Sequence, residues 1–161
     1  MPYKIVKVKN GYKVCLKSNP KKCFSKKELP LERAEAQEKA IILSELKGSG
    51  NFDTFKEQLD KAGIKEKDYL AAAKATAKKE GYNPDKIFLA EDSNHKLLYD
   101  GENGLRKFGK VGYSDYIIYS LSPLITKKEA EKHRLNYHKR FNKSALYEKD
   151  SPYILSLRIL W

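Results

Sequence analysis

The first residues read as strand. From Tyr3 to Val8 β-branched and aromatic positions are interrupted by lysines, Asn10-Gly11 follows, and Tyr12–Leu16 resumes the pattern. This predicts a β-hairpin with Asn10 and Gly11 at the centre of a type I′ turn, where both residues need positive φ. Ser18-Asn19-Pro20 then breaks the pairing. A helix is predicted from Pro30 to Leu46, with Pro30 in its first turn and Gly48 as its C-terminal cap. Ser25 and Glu28 have capping-box spacing, but a helix begun there would carry Pro30 inside it, so the proline decides the start.

Gly48-Ser49-Gly50 reads as a short flexible joint. Beyond it Phe52, Phe55, Leu59 and Ala62 recur at helical spacing up to Gly63, and Tyr69, Leu70, Ala73 and Ala77 repeat the pattern up to Gly81. The pair forms an expected helical hairpin. Ile87–Ala90 and Lys96–Tyr99 read as short strands around a polar turn, and Gly101, Gly104, Gly109 and Gly112 punctuate the way to a third expected strand, Tyr113–Ser120. Thr126 and Glu129 box the start of a last helix, Lys127 to about Asn142. Alternation of Leu155, Leu157, Ile159 and Trp161 with Ser156 and Arg158 predicts a half-buried strand over Tyr153–Trp161. The pattern therefore predicts an α+β fold in two parts. Residues 1–47 form a basic ββα module, and residues 51–161 hold the helical hairpin, antiparallel strands, a basic helix and a terminal strand.

Charge separates these parts further. The chain of 161 residues carries 33 Lys+Arg against 21 Asp+Glu, a net +12. Residues 1–47 carry +7, residues 51–104 carry −2 and residues 105–161 carry +7. Two basic ends around a near-neutral middle suit an anionic partner, whether nucleic acid, an acidic protein face or a membrane surface, although a solvated lysine coat gives the same sums. No apolar run reaches the roughly 18 residues of a membrane span. The opening MPYKIVKVK has no apolar leader core, so the two cysteines, Cys15 and Cys23, are expected as reduced thiols of an intracellular protein.

The stretch GYKVCLKSNPKKCFSKKELPLERAEAQEKAI resembles a short basic segment found in nucleocytoplasmic large DNA viruses, with the pattern G-Y-x-V-C, F-S, P-L-P, A-x-x-Q-x-x-A. It matches at Gly11, Tyr12, Val14, Cys15, Phe24, Ser25, Leu29, Pro30, Ala34, Gln37 and Ala40, and departs at Glu28, where the pattern has proline. A second resemblance runs from about Phe55 to Trp161. There DYLAAAKATAKKEGYNP, KFGKVGYSDYIIYS and SPYILSLRILW are similar to a domain of the same viruses that ends near S-P-x-x-L-x-x-x-x-L-W. The resemblance marks lineage rather than chemistry. It implies a giant-virus protein carried in the virion, present in the host cytoplasm during assembly.

Candidate chemistry is concentrated in the basic residues. Lys21, Lys22, Lys26 and Lys27 surround Phe24, and the last helix offers Lys132, Arg134, Lys139 and Arg140. Such side chains neutralise phosphates or acidic protein groups without reading sequence. A helix-turn-helix reading of the helical hairpin fails on its second helix, which presents Ala71, Ala72, Ala73, Ala75 and Ala77 where base-reading side chains belong. Tyr113, Tyr116, Ile118 and Trp161 are the candidate protein-contact residues, because tyrosine and tryptophan combine an apolar body with a polar tip. His133 and His138 are five apart and share no helical face, and Cys15 and Cys23 lack a second pair, so no metal site is expected. Glu91, Asp92, Asp100 and Glu102 could gather around a metal but fall in expected turns, where such residues are common. No catalytic residue and no cofactor is expected. What the resemblance implies is the function of a non-enzymatic minor capsid or capsid-associated protein contacting capsid or other virion proteins. The alternative is a sequence-nonspecific DNA-binding packaging or replication accessory.

Overall fold

The computed structural model describes residues 3–47, 52–141 and 147–161, with backbone only at 43 and 45–47. It divides into two compact units, residues 1–47 and 48–161. The expected joint Gly48-Ser49-Gly50, with the Gly48 cap, lies outside the described residues. The fold is α+β, with a two-stranded and a three-stranded antiparallel sheet.

In the first unit β1 (Tyr3–Val8) pairs with β2 (Gly11–Leu16) from Tyr3↔Leu16 to Val8↔Gly11. That register makes Lys9-Asn10 the two-residue loop. The expected type I′ turn is corrected, since neither Asn10 nor Gly11 has a positive φ. Gly11 is required for another reason. A Cβ there would stand 2.8 Å from the Leu29 carbonyl oxygen, because Leu29 bonds back to Tyr12 through both backbone groups at 2.9 Å. Residues 22–29 thus run along the free edge of β2, where Phe24 N–H donates to Val14 and Leu16 N–H donates to Lys22. Ser25 does not cap a helix; its buried hydroxyl accepts the Val14 N–H at 3.0 Å. Helix α1 (Leu31–Lys47) starts just after Pro30 and packs Ala34 and Ile42 into the core beside both strands.

Those edge bonds place Cys15 opposite Cys23, and the two are joined as a disulfide. The expectation of free thiols is therefore corrected. The bonds on either side make Cys15 and Cys23 a non-hydrogen-bonded cross-strand pair, the closer of the two antiparallel pairings, and their Cα atoms lie 3.9 Å apart.

The second unit begins with α2 (Phe55–Ala62), capped by Thr54 and ended by Gly63 at φ 73°, and α3 (Glu66–Lys79), followed by Gly81 at φ 79°. Positive φ is the reason for glycine at both stops. The alanines of α3 bury Ala73 and Ala77 and allow close packing, while Tyr69 supplies bulk. A meander follows, β3 (Ile87–Leu89), β4 (His95–Gly101) and β5 (Gly104–Lys110), in sequential order. The expected strand over Tyr113–Ser120 is helix α4 (Tyr116–Leu121): the Asp115 carboxylate caps it by accepting the Ile118 N–H at 2.9 Å. Ile117, Ile118 and Tyr119 are buried consecutively, which no half-buried strand allows.

Helix α5 (Lys127–Arg140) has the expected capping box of Thr126 and Glu129. The expected strand over Tyr153–Trp161 is also helical, as α6 (Pro152–Leu155) runs into a π-turn over Ser156–Leu160. Ser151 caps it and Pro152 occupies its first turn. Ile154, Leu155, Leu157, Ile159 and Leu160 are all buried, against α3 on one side and β5 on the other. Among the described residues no helix is long and apolar enough to cross a membrane.

Candidate functional site

The C-terminal half of α5 is polar on nearly every face, yet it carries Leu135, 50% exposed, and is followed by Phe141, 37% exposed. Both border a groove of about 700 Å3 between the end of α3, α5 and residues 157–161. Trp161 and Phe141 line its aromatic side, with Tyr137 packed behind them. Trp161 lies face to face with Tyr137 at 4.1 Å, the Tyr137 ring is tilted against Phe141 at 4.4 Å, and His138 Nε2–H donates to the Trp161 backbone oxygen at 3.0 Å. Burial pushes the Tyr137 phenol above its ordinary pKa, so it stays neutral in this wall.

Cations surround the apolar surface. Arg134 grips Glu131 at 3.1 and 2.7 Å while its guanidinium lies 5.5 Å over the Tyr116 ring, and Arg158 pairs with Glu80 at 3.3 Å. The Arg134 bonds hold the Glu131 carboxyl below its ordinary value. Lys79 and Lys139 line the same groove and have no ion-pair partner among the described residues. The groove can thus present apolar contact and two uncommitted positive charges together.

Of the residues singled out from sequence, Tyr116, Arg134, Lys139 and Trp161 converge on this groove. Arg140 is exposed and bonds the Asn136 carbonyl, and Lys132 is exposed. Tyr113 is 51% exposed, with the Lys110 ammonium 5.4 Å over its ring. Ile118 is corrected as a contact residue: its exposure is 0%, so it belongs to the core. Lys79, Leu135 and Arg158 were not singled out. Leu135, an apolar residue on the polar side of a basic helix, was the available signal.

Lys21, Lys22, Lys26 and Lys27 lie in the first unit, all exposed. Residues 3–29 hold nine lysines and one acidic residue, Glu28, and none of these lysines forms an ion pair among the described residues. Phe24 stands exposed among them, its ring edge-on to Tyr3 at 5.2 Å. The disulfide ties down the loop that carries Lys17, Lys21 and Lys22.

Behind Tyr113 and α4 lies a fully buried polar network. Lys96 Nζ donates to Asp115 Oδ2 at 2.7 Å and to the Tyr113 carbonyl, and the Tyr69 hydroxyl donates to the same carboxylate oxygen at 2.8 Å. Gln58 donates to the Tyr113 carbonyl at 3.1 Å and accepts the Gly112 N–H at 3.0 Å. Burial, followed by the Asp115 charge, holds the Tyr69 phenol well above its ordinary value and keeps it a donor. Burial also lowers the Lys96 pKa, opposed by Asp115.

The acidic turn residues do not form a centre. Among the described residues no three His, Cys, Asp or Glu side chains are grouped to hold a metal. Asp92 is structural: its Oδ1 accepts the Asn94 and His95 N–H groups at 2.8 Å and its Oδ2 meets Lys107 Nζ at 2.8 Å. Lys107 and these backbone donors hold its carboxyl well below the ordinary value near 3.8. A lowered folded-state pKa gives stability that is present above that value and lost as pH falls through it, because the unfolded chain takes up the proton first. Asp92→Asn is therefore expected to lower the urea midpoint at pH 7 and to lower it by less at about pH 2.5, below the unfolded carboxyl's value, where part of the contribution has been lost. An equal loss at both pH values overturns this account. His133 stacks on Tyr119 at 4.4 Å, as a packed side chain does.

No family model matches the chain, and neither a curated protein nor a solved structure does.

Proposed function

We propose that the protein is a non-enzymatic structural component of a large-DNA-virus particle, a minor capsid or capsid-associated protein that works by protein contact. The observation that carries the contact role is the groove on α5, where exposed Leu135 and Phe141 stand beside Lys79 and Lys139, which have no ion-pair partner among the described residues. Apolar surface beside cations, backed by a stacked Tyr137–Trp161 wall, is chemistry for holding a partner. The particle itself is inferred from the sequence resemblance, with capsid or other virion proteins as partners and the host cytoplasm as the place of assembly.

The lysine surface of the first unit favours a second reading, a DNA-binding packaging or replication accessory. Within residues 3–29, nine lysines against one acid, without ion pairs among the described residues, offer point charges suited to phosphates.

Stepwise stripping of purified particles, followed by mass spectrometry, separates the readings. Release with the shell is expected, release with the genome core favours DNA binding, and absence from the particle overturns both particle roles. For the DNA reading, charge reversal of Lys21, Lys22, Lys26 and Lys27 together should reduce the log-log salt slope by about 3 to 4, one unit per lost phosphate contact.

A further inference from the structure

We infer that the groove between α3, α5 and residues 157–161 takes a short acidic peptide segment of a partner protein, with one bulky apolar side chain seated against Leu135 and Phe141. The inference deepens the protein-contact reading and rests on it.

Charge complementarity identifies the occupant. Both arginines of the groove already hold carboxylates, Arg134 with Glu131 through a forked contact and Arg158 with Glu80, so the surface is set up for carboxylate geometry. Lys79 and Lys139 lack such partners among the described residues and are left to receive a peptide's own acids. A nucleic-acid strand fits less well. Glu80 stands in the groove lining and Glu131 is held on Arg134, so the positive charge comes as separated points, whereas a phosphodiester chain needs a continuous track. Trp161 also has one face covered by Tyr137 at 4.1 Å, with the Tyr119 edge 6.0 Å away, which reduces its use as a platform for a base. Leu135 is aliphatic, and an exposed leucine is satisfied by an apolar side chain rather than by a sugar or phosphate. A groove of about 700 Å3 holds one anchor side chain with its neighbours rather than a whole domain face.

Trp161 is the chain's one tryptophan and lines the groove, so its emission reports occupancy there. The full chain is titrated in low salt with the peptide EELFEE, with EEGGEE as a probe lacking the anchor, and with a twelve-residue oligothymidylate as competitor. Expected are a saturable change in Trp161 emission with EELFEE, at least about tenfold weaker binding of EEGGEE, and no displacement by the oligonucleotide at equal concentration. Lys79→Glu with Lys139→Glu should weaken EELFEE at least about tenfold. Both side chains are exposed, so the urea unfolding midpoint should be retained; Leu135→Ala is the second variant and should also weaken binding. No saturable change, equal binding of the two peptides, or displacement by the oligonucleotide overturns the inference. Because the peptide measurement uses no virus, its failure is distinguishable from failure of the particle reading, which only the stripped particles report.

Discussion

Asp115→Ala is expected to cost the second unit on the order of 3–5 kcal/mol, the range for removing one partner of a buried ion pair. The carboxylate is 1% exposed and satisfies three donors, the Lys96 ammonium, the Tyr69 hydroxyl and the Ile118 N–H. Alanine would leave the Tyr69 hydroxyl and the Ile118 N–H without this acceptor and the Lys96 ammonium buried with the Tyr113 carbonyl but no counter-charge, the most costly of the three. Lys96→Met should cost less, since Asp115 would retain the Tyr69 and Ile118 donors and methionine fills much of the lysine's volume. The double variant should be no less stable than Asp115→Ala alone, because the stranded ammonium is gone. Urea unfolding followed by the emission of Trp161 measures all three. A loss below about 1 kcal/mol for Asp115→Ala would mean that water reaches the pair and that the network is not dry. The consequence reaches the groove. Asp115 caps α4, and Tyr116, the first residue of that helix, is held under the Arg134 guanidinium. A variant that remains folded but loses the cap should therefore also bind EELFEE more weakly.

What could be read from sequence was local, and what could not was set by contacts across the chain. Helices α2, α3 and α5 were legible because their signals lie within a few residues: Gly63 and Gly81 at the stops and Thr126–Glu129 at a start. The hairpin strands were legible for the same reason, although the turn was not. Lys9-Asn10 closes the loop while Gly11 is demanded by Leu29, eighteen residues on. Two misread segments share a cause. Tyr113–Ser120 and Tyr153–Trp161 are rich in Tyr, Ile and Leu, whose strand preference is easily overridden by tertiary packing. The deciding residues were the caps Asp115 and Ser151-Pro152, which are single polar positions beside long apolar runs. Strand β5 went unread because only Phe108 of it is buried, so it has almost no apolar pattern. The groove was half legible. Tyr116, Arg134, Lys139 and Trp161 were chosen for chemistry, but Lys79 and Arg158 join them only because α3 packs against the π-turn.

Reduction of Cys15–Cys23 is the second large expected effect. The bond closes a short loop within a unit of 47 residues, a size at which a hydrophobic core alone supplies little stability. On the chain-entropy account, a loop of this length contributes about 2.5 kcal/mol. Amide exchange over residues 3–29 should then accelerate roughly 50- to 100-fold on reduction where exchange follows opening of the unit. Cys15→Ser with Cys23→Ser should reproduce the effect without reductant, and unchanged exchange in either case would show that the sheet and α1 suffice alone. The same experiment separates charge from its arrangement. Reduction leaves all nine lysines of residues 3–29 in place, so the counterion-release slope of any DNA binding should persist. Affinity that depends on fixed spacing of Lys17, Lys21 and Lys22 should fall, because the tie that holds their loop against β2 is cut. A slope that survives while affinity drops would assign the disulfide the role of ordering the cationic surface. Loss of neither would make the lysines a diffuse coat, and the burden of partner recognition would then fall on the groove of the second unit.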